Sequence, residues 1–116
     1  MQIEHISAVT FFVQDMSRSV RFYEKCGFRL IFGGPEQEFT SLQAGRAYVN
    51  LIHRSDYDVR WWGRAIFRVD EVDEHYRMIC AAGLSPEAQP QNATWGERYY
   101  HLTDPDGHEL SFAELL

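Results

Sequence analysis

The sequence predicts an α+β fold made of two tandem β-α-β-β-β modules, which together form a curved mixed sheet with a concave trough and the helices outside. Three observations predict it. First, the chain nearly repeats itself at a shift of 56 residues, which carries Phe11 onto Phe67, Val13 onto Val69, Met16 onto Val72, Arg21 onto Arg77 and Phe28 onto Leu84. Second, the same shift carries Gly27 onto Gly83, each just past a helix, where the chain must turn and a residue tolerant of φ > 0 is needed. Third, residues 98–116 alternate apolar and polar side chains on both sides of Asp104-Pro105-Asp106-Gly107. Proline presets one turn position and glycine supplies another, so this stretch reads as a β-hairpin.

The elements follow in order. Residues 3–13 are rich in β-branched and aromatic side chains and predict a strand. Asp15 or Ser17 offers an N-cap, Val20, Phe22, Tyr23 and Cys26 recur at helical spacing, and Gly27 stops the helix. Strands over 28–32, 38–43 and 47–53 complete a first module, residues 1–54, with Gly33-Gly34-Pro35 and Ala44-Gly45 at the bends. Residues 55–60 are polar and read as a linker. The second module, residues 61–116, repeats the order: a strand over 62–69, a helix over 72–82, a short strand over 84–87, a loop over 89–94 and the terminal hairpin. One such unit leaves a sheet face uncovered, so the two modules, or two chains, must pair to bury it; a homodimer is expected.

Composition narrows the function. Apolar residues make up 45% of the chain and aromatic residues 15%, enough for a packed core. A net charge of −6 argues against nucleic acid or an anionic membrane as partner and favours neutral or cationic ligands. No apolar run is long enough to span a bilayer and the N-terminus is not built like a signal peptide, so a cytoplasmic protein is expected. Cys26 and Cys80 stand alone, without a neighbouring histidine or basic cluster, and read as packed or idle thiols rather than nucleophiles or a disulfide.

Val13-Gln14-Asp15-Met16-Ser17-Arg18-Ser19-Val20-Arg21-Phe22-Tyr23, Phe67-Arg68-Val69-Asp70-Glu71-Val72-Asp73 and Asp104-Pro105-Asp106-Gly107-His108-Glu109-Leu110-Ser111-Phe112 stand in the order and spacing of the vicinal oxygen chelate superfamily, which the chain resembles over nearly its whole length. That superfamily holds glyoxalases, extradiol dioxygenases, fosfomycin-modifying enzymes and bleomycin resistance proteins. The resemblance implies a trough in which four strands of an enzyme present His, Gln or Glu to a divalent metal. The corresponding positions here are Ala8, Asn50, Arg64 and Ser111. Alanine has no donor atom, and a guanidinium has no lone pair free for a cation. Asn and Ser are neutral oxygen ligands, too weak alone for zinc, nickel, manganese or iron. The expectation is a metal-free, cofactor-free protein, more binder than enzyme.

Binding is expected to rest on aromatic walls. Trp62, Trp95, Tyr48 and Tyr99 follow loops or line strands, where they suit ligand contact as well as core packing. Asn50, Arg64, His101 and Ser111 would orient the ligand, with Arg64 either an anchor for an anion or one half of an ion pair. The Trp95 to Tyr100 segment is similar to the stretch before the last hairpin of bleomycin resistance proteins, which bind a cationic drug by stacking. The leading expectation is thus sequestration of a small molecule that contains an aromatic system and can be cationic. The alternative is a metal-dependent lyase, isomerase or dioxygenase with a relocated site drawing on His53, His101 or Glu109. A third reading, a purely structural dimer, would show a face filled by Phe39, Tyr48 and Phe112. Asp104 and Asp106 pair as acid-base candidates on paper, but beside Pro and Gly they are expected to cap the turn.

Overall fold

The computed structural model describes all residues from 1 to 116. The chain divides into two compact units, Met1–Tyr57 and Asp58–Leu116. The first unit runs β1 (Ala8–Val13), α1 (Met16–Lys25), β2 (Arg29–Phe32), β3 (Phe39–Ala44) and β4 (Ala47–His53). Its sheet has the order β1-β4-β3-β2, with β1 parallel to β4 and the other pairs antiparallel. The second unit runs β5 (Arg64–Arg68), α2 (Val72–Ala81), β6 (Gln91–Asn92), β7 (Glu97–Thr103) and β8 (Glu109–Leu115), in the sheet order β5-β8-β7-β6, again with one parallel pair. The expected α+β repeat is present, and α1 and α2 begin at the predicted shift, Met16 against Val72.

Each unit builds its core between one helix and one sheet face. Alternation along the strands sends every second side chain to that face. In the first unit Phe11, Val13, Leu42, Val49 and Leu51 are buried there with Val20, Phe22 and Tyr23 of α1, and Phe11 stacks on Tyr23 at 5.9 Å. In the second unit Ala65, Tyr100, Leu102, Leu110 and Phe112 are buried with Val72 and Ile79 of α2. Phe112 stacks on both Phe67 and Tyr100, at 5.7 and 5.5 Å. Gly27 and Gly83 follow the two helices at φ 104° and 91°, the conformation that made them visible as a repeat.

The helix starts differ. Asp15 Oδ1 accepts a hydrogen bond from Arg18 N at 3.0 Å, an ordinary N-cap. Glu71 occupies the matching position before α2 but makes no side-chain cap. Glu114, arriving from β8, takes its place and accepts from Val72 N at 2.9 Å. In the terminal hairpin Asp104 Oδ1 accepts from Asp106 N at 2.9 Å and His108 N at 2.8 Å, so this carboxylate caps the turn as expected. Gly107 stands at φ 89°, and a Cβ there would lie 2.5 Å from Cγ1 of Val59. The segment preceding β5 therefore packs directly on the turn.

Three expectations change by more than one residue. β1 begins at Ala8 rather than at residue 3, and β5 at Arg64 rather than at 62, because each is a parallel edge strand whose partner gives out there: Ala8 faces Tyr48 and Arg64 faces Glu109. His5 accordingly precedes the strand, with its Nδ1 3.2 Å from Arg46. The short strand expected over 84–87 does not form. Pro86 has no N–H to give a ladder, and Gln91–Asn92 in the expected loop pair instead with Tyr99 and Arg98.

Candidate functional site

The sheet face of the second unit that turns away from α2 gathers most of the polar and aromatic residues singled out above. On β5, β8 and β7 the pairs Arg64↔Glu109↔Thr103, Ile66↔Ser111↔His101 and Arg68↔Ala113↔Tyr99 cross the sheet in register. Period-two alternation therefore puts Arg64, Glu109, Ser111, His101 and Tyr99 on one face, while Tyr100, between Tyr99 and His101, turns into the core.

Aromatic rings line that face in a row. Trp95 stacks on Tyr99 with centroids 6.1 Å apart and planes 21° from parallel, and Tyr99 meets His101 at 5.1 Å. Trp95 is 69% exposed yet its orientation is fixed, because its indole N–H donates to Glu97 Oε1 at 2.8 Å. Glu97 in turn holds Arg68 at 3.2 Å, and the Tyr99 hydroxyl accepts from Gln91 Nε2 at 2.9 Å. Glu97 and Arg68 were absent from the sequence expectations, although both stand in phase, at period two, with residues that were named.

The polar end of the row is His101, whose Nδ1 lies 2.6 Å from Oγ of the buried Ser111. Burial lowers the proton affinity of His101 below its ordinary value, and the Arg64 guanidinium lowers it further; Glu87 and Glu109 act in the opposite direction. Arg64 donates to Glu109 at 3.1 Å, so the ion-pair reading of this residue is the one the structure displays. Trp62 is held elsewhere, at the Asp104–Gly107 turn, where its indole N–H donates to His108 Nδ1 at 2.8 Å. It lies toward the His108 end of β8, whereas Trp95 and Tyr99 lie toward the other.

Tyr48 and Asn50 belong to the first unit, on the face of its sheet turned away from α1. Asn50 sits between Thr10 and Ser41 in the register, and its amide is 3.5 Å from Thr10 Oγ1. Tyr48 and Phe39 remain partly exposed on that face, while Phe112 is core in the second unit. Phe112 is thus packed inside its own unit and not on the outer sheet face that a structural role would fill. Recesses of about 510 and 320 Å³ open beside α2 and α1, and neither is lined by Trp95, Tyr99 or His101.

A divalent metal is a poor match for the residues at the four family positions. Ala8 offers nothing, the Arg64 guanidinium is positive and bound to Glu109, Ser111 Oγ is engaged by His101, and Asn50 is a lone neutral amide. The relocated site fares no better. His53 lies in the first unit with Nδ1 2.8 Å from Glu38 and Nε2 3.2 Å from the Gln14 carbonyl, and Glu109 holds Arg64. No group of three His, Cys, Asp or Glu side chains converges anywhere in the chain.

Comparison with known proteins agrees with this architecture. The family model described as glyoxalase/bleomycin resistance protein/dioxygenase superfamily matches residues 2–112. Among solved structures, TioX from Micromonospora sp. ML1 is 28% identical, with a TM-score of 0.80 over 97% of this chain and 100% of its own. A bleomycin resistance determinant encoded on the transposon Tn5 is 23% identical, with a TM-score of 0.81 over 97% and 98%. A lactoylglutathione lyase from Agrobacterium tumefaciens is 19% identical, with a TM-score of 0.79 over 98% and 96%. No curated protein matches the chain.

Proposed function

Since this chain belongs to the glyoxalase/bleomycin resistance protein/dioxygenase superfamily, we propose that it is one of the superfamily's metal-free binders, a protein that sequesters a small ligand containing an aromatic system and performs no covalent chemistry on it. The observation that carries the reading is the Trp95–Tyr99–His101 row. An indole that is 69% exposed and still pinned by a hydrogen bond is a preorganised stacking surface, because little side-chain freedom remains to be lost on binding. Stacking adds about 0.5–1.5 kcal/mol per ring pair beyond area burial. His101 and Ser111 supply orientation at one end of the row, and Tyr48 and Asn50 offer a second face of similar character on the first unit. The absence of an adequate donor set at Ala8, Asn50, Arg64 and Ser111 supports binding over metal-assisted lyase or dioxygenase chemistry.

A role in resistance to a bleomycin-type antibiotic, acting as a cytoplasmic homodimer, is the family-guided form of this proposal. Its test has two parts. Elemental analysis after exposure to zinc, nickel, manganese and iron is expected to find less than about a tenth of an equivalent bound; a stoichiometric metal would overturn the metal-free reading. Titration with metal-free bleomycin and a panel of flat heteroaromatic compounds, followed by tryptophan fluorescence, is expected to yield a saturable response that Trp95→Ala weakens by roughly tenfold, the effect of about 1.4 kcal/mol. A saturable response unchanged in both Trp95→Ala and Tyr99→Ala would place binding elsewhere.

A further inference from the structure

We infer that Ser111 is a positioning residue that fixes His101 in the tautomer with its proton on Nε2, so that the aromatic row takes a planar ligand bearing a hydrogen-bond acceptor at its edge. The inference rests on the stacking role given above to Trp95 and Tyr99 and deepens it by naming what the ligand's edge must carry.

Hydrogen-bond accounting at Ser111 fixes the tautomer. Ser111 is 2% exposed, in the middle of β8, directly opposite His101 on β7. Its hydroxyl has one proton to give, and the acceptor its side chain meets is His101 Nδ1 at 2.6 Å. A buried hydroxyl proton left without an acceptor is costly. The serine therefore donates, Nδ1 accepts, and the neutral imidazole carries its proton on Nε2. The opposite arrangement, Nδ1–H donating to Oγ, would strand the serine proton inside the sheet.

With Nδ1 committed, Nε2–H is the one polar group left on the ring, and no partner within the chain takes it. His101 is partly exposed and its ring meets Tyr99 at 5.1 Å, so the imidazole borders the stacking surface. A ring stacked on Trp95 or Tyr99 meets a donor where its edge passes His101. Arg64, on the same face in the register pair next to the one that holds Ser111 and His101, is held through one nitrogen to Glu109 and adds further donor capacity there. A ring carbonyl, a ring nitrogen with a free lone pair, or a carboxylate satisfies both. An ammonium or amidinium edge, with only N–H to offer, meets these donors, and the nearby Glu109 carboxylate is already engaged by Arg64. The geometry thus favours acceptor-edged ligands over the cationic class that net charge alone suggests.

Long-range ¹⁵N–¹H correlation spectra at alkaline pH read the tautomer without any ligand. His101 is expected to show Nε2–H in the wild type, a mixture of tautomers in Ser111→Ala, and the wild-type pattern again in Ser111→Thr, which restores a hydroxyl. An Nδ1–H tautomer in the wild type, or no change in Ser111→Ala, overturns the positioning role. In the second arm, 2-naphthoate and 2-naphthylmethylamine serve as probes of equal ring size. The carboxylate is expected to bind more tightly than the amine, with affinity falling about three- to tenfold in Ser111→Ala and returning in Ser111→Thr. Equal binding of the two probes overturns the acceptor preference. If neither probe perturbs Trp95 while the tautomer is as expected, stacking on the row is what fails, and the ligand half of this inference falls with it.

Discussion

His101 is surrounded by groups that pull its proton affinity both ways, and desolvation with Arg64 prevails over Glu87 and Glu109. The sign of the consequence is fixed: a histidine whose folded-state pKa lies below its ordinary 6.5 binds fewer protons folded than unfolded. Its contribution costs nothing above 6.5 and becomes a penalty as pH falls below 6.5 through the lowered value. Urea denaturation at pH 7.5 and pH 5 is therefore expected to show a larger acid-induced loss of stability in the wild type than in His101→Gln; equal losses would show that this imidazole is not the titrating group. Asp104 is the other decisive side chain. It is 4% exposed and accepts from two backbone amides, so Asp104→Ala is expected to cost about 2–3 kcal/mol in urea melts, as buried donors lose their partner. Much at this scale was legible in advance. Asp beside Pro and Gly announced a turn cap. The five histidines make hydrogen bonds to Arg46, Glu38, Tyr100, Ser111 and Trp62. The partners were not legible, because they come from other strands and turns at sequence separations that no local spacing encodes.

At the level of elements, the two helices invite a direct comparison. α1 carries its own cap, whereas α2 borrows one across the unit from β8. Glu114→Ala is expected to lower stability by about 1 kcal/mol, within the range of lost N-caps, while Glu71→Ala has little effect; chemical denaturation of the two variants checks this, and a larger effect at Glu71 would contradict it. The terminal turn gives a second contrast. Gly107→Ala places a methyl against Val59 at a positive φ and is expected to cost clearly more than Gly45→Ala, where φ is 61° but no atom lies within 4 Å. Val59→Ala should recover part of the loss at Gly107 and none at Gly45. Period two and the helix-stop glycines located most strands and both helices to within a few residues. The misplacements share one cause: a strand's extent is set by its partner. Ile3 and Trp62 look like strand residues locally but have nothing opposite them, while Gln91 and Asn92 look like loop and become strand because β7 lies alongside.

Over the whole molecule, the repeat and the family agree, and no helix is long and apolar enough to cross a membrane. Each unit has a sheet face not covered by its own helix, and large apolar side chains are exposed on the chain, among them Phe32, Ile66, Trp95 and Leu115. A homodimer follows as a proposal, with sedimentation velocity expected to report twice the 13.6 kDa of the chain; a monomer at micromolar concentration would refute it. The candidate site was half legible. Tyr99, His101, Ser111 and Arg64 could be placed on one face by alternation alone, whereas Trp62, from an irregular segment, is drawn to the hairpin turn by His108, a partner that no local spacing encodes. That attachment bears on how the gene can be altered. Between Tyr57 and Arg64 the chain is riveted to the turn twice, by Val59 against Gly107 and by Trp62 on His108, so an epitope tag spliced in after Arg60 would pry the two rivets apart. The exposed Ser55–Asp56 bend, just upstream, is where a passenger sequence can enter and leave the fold intact.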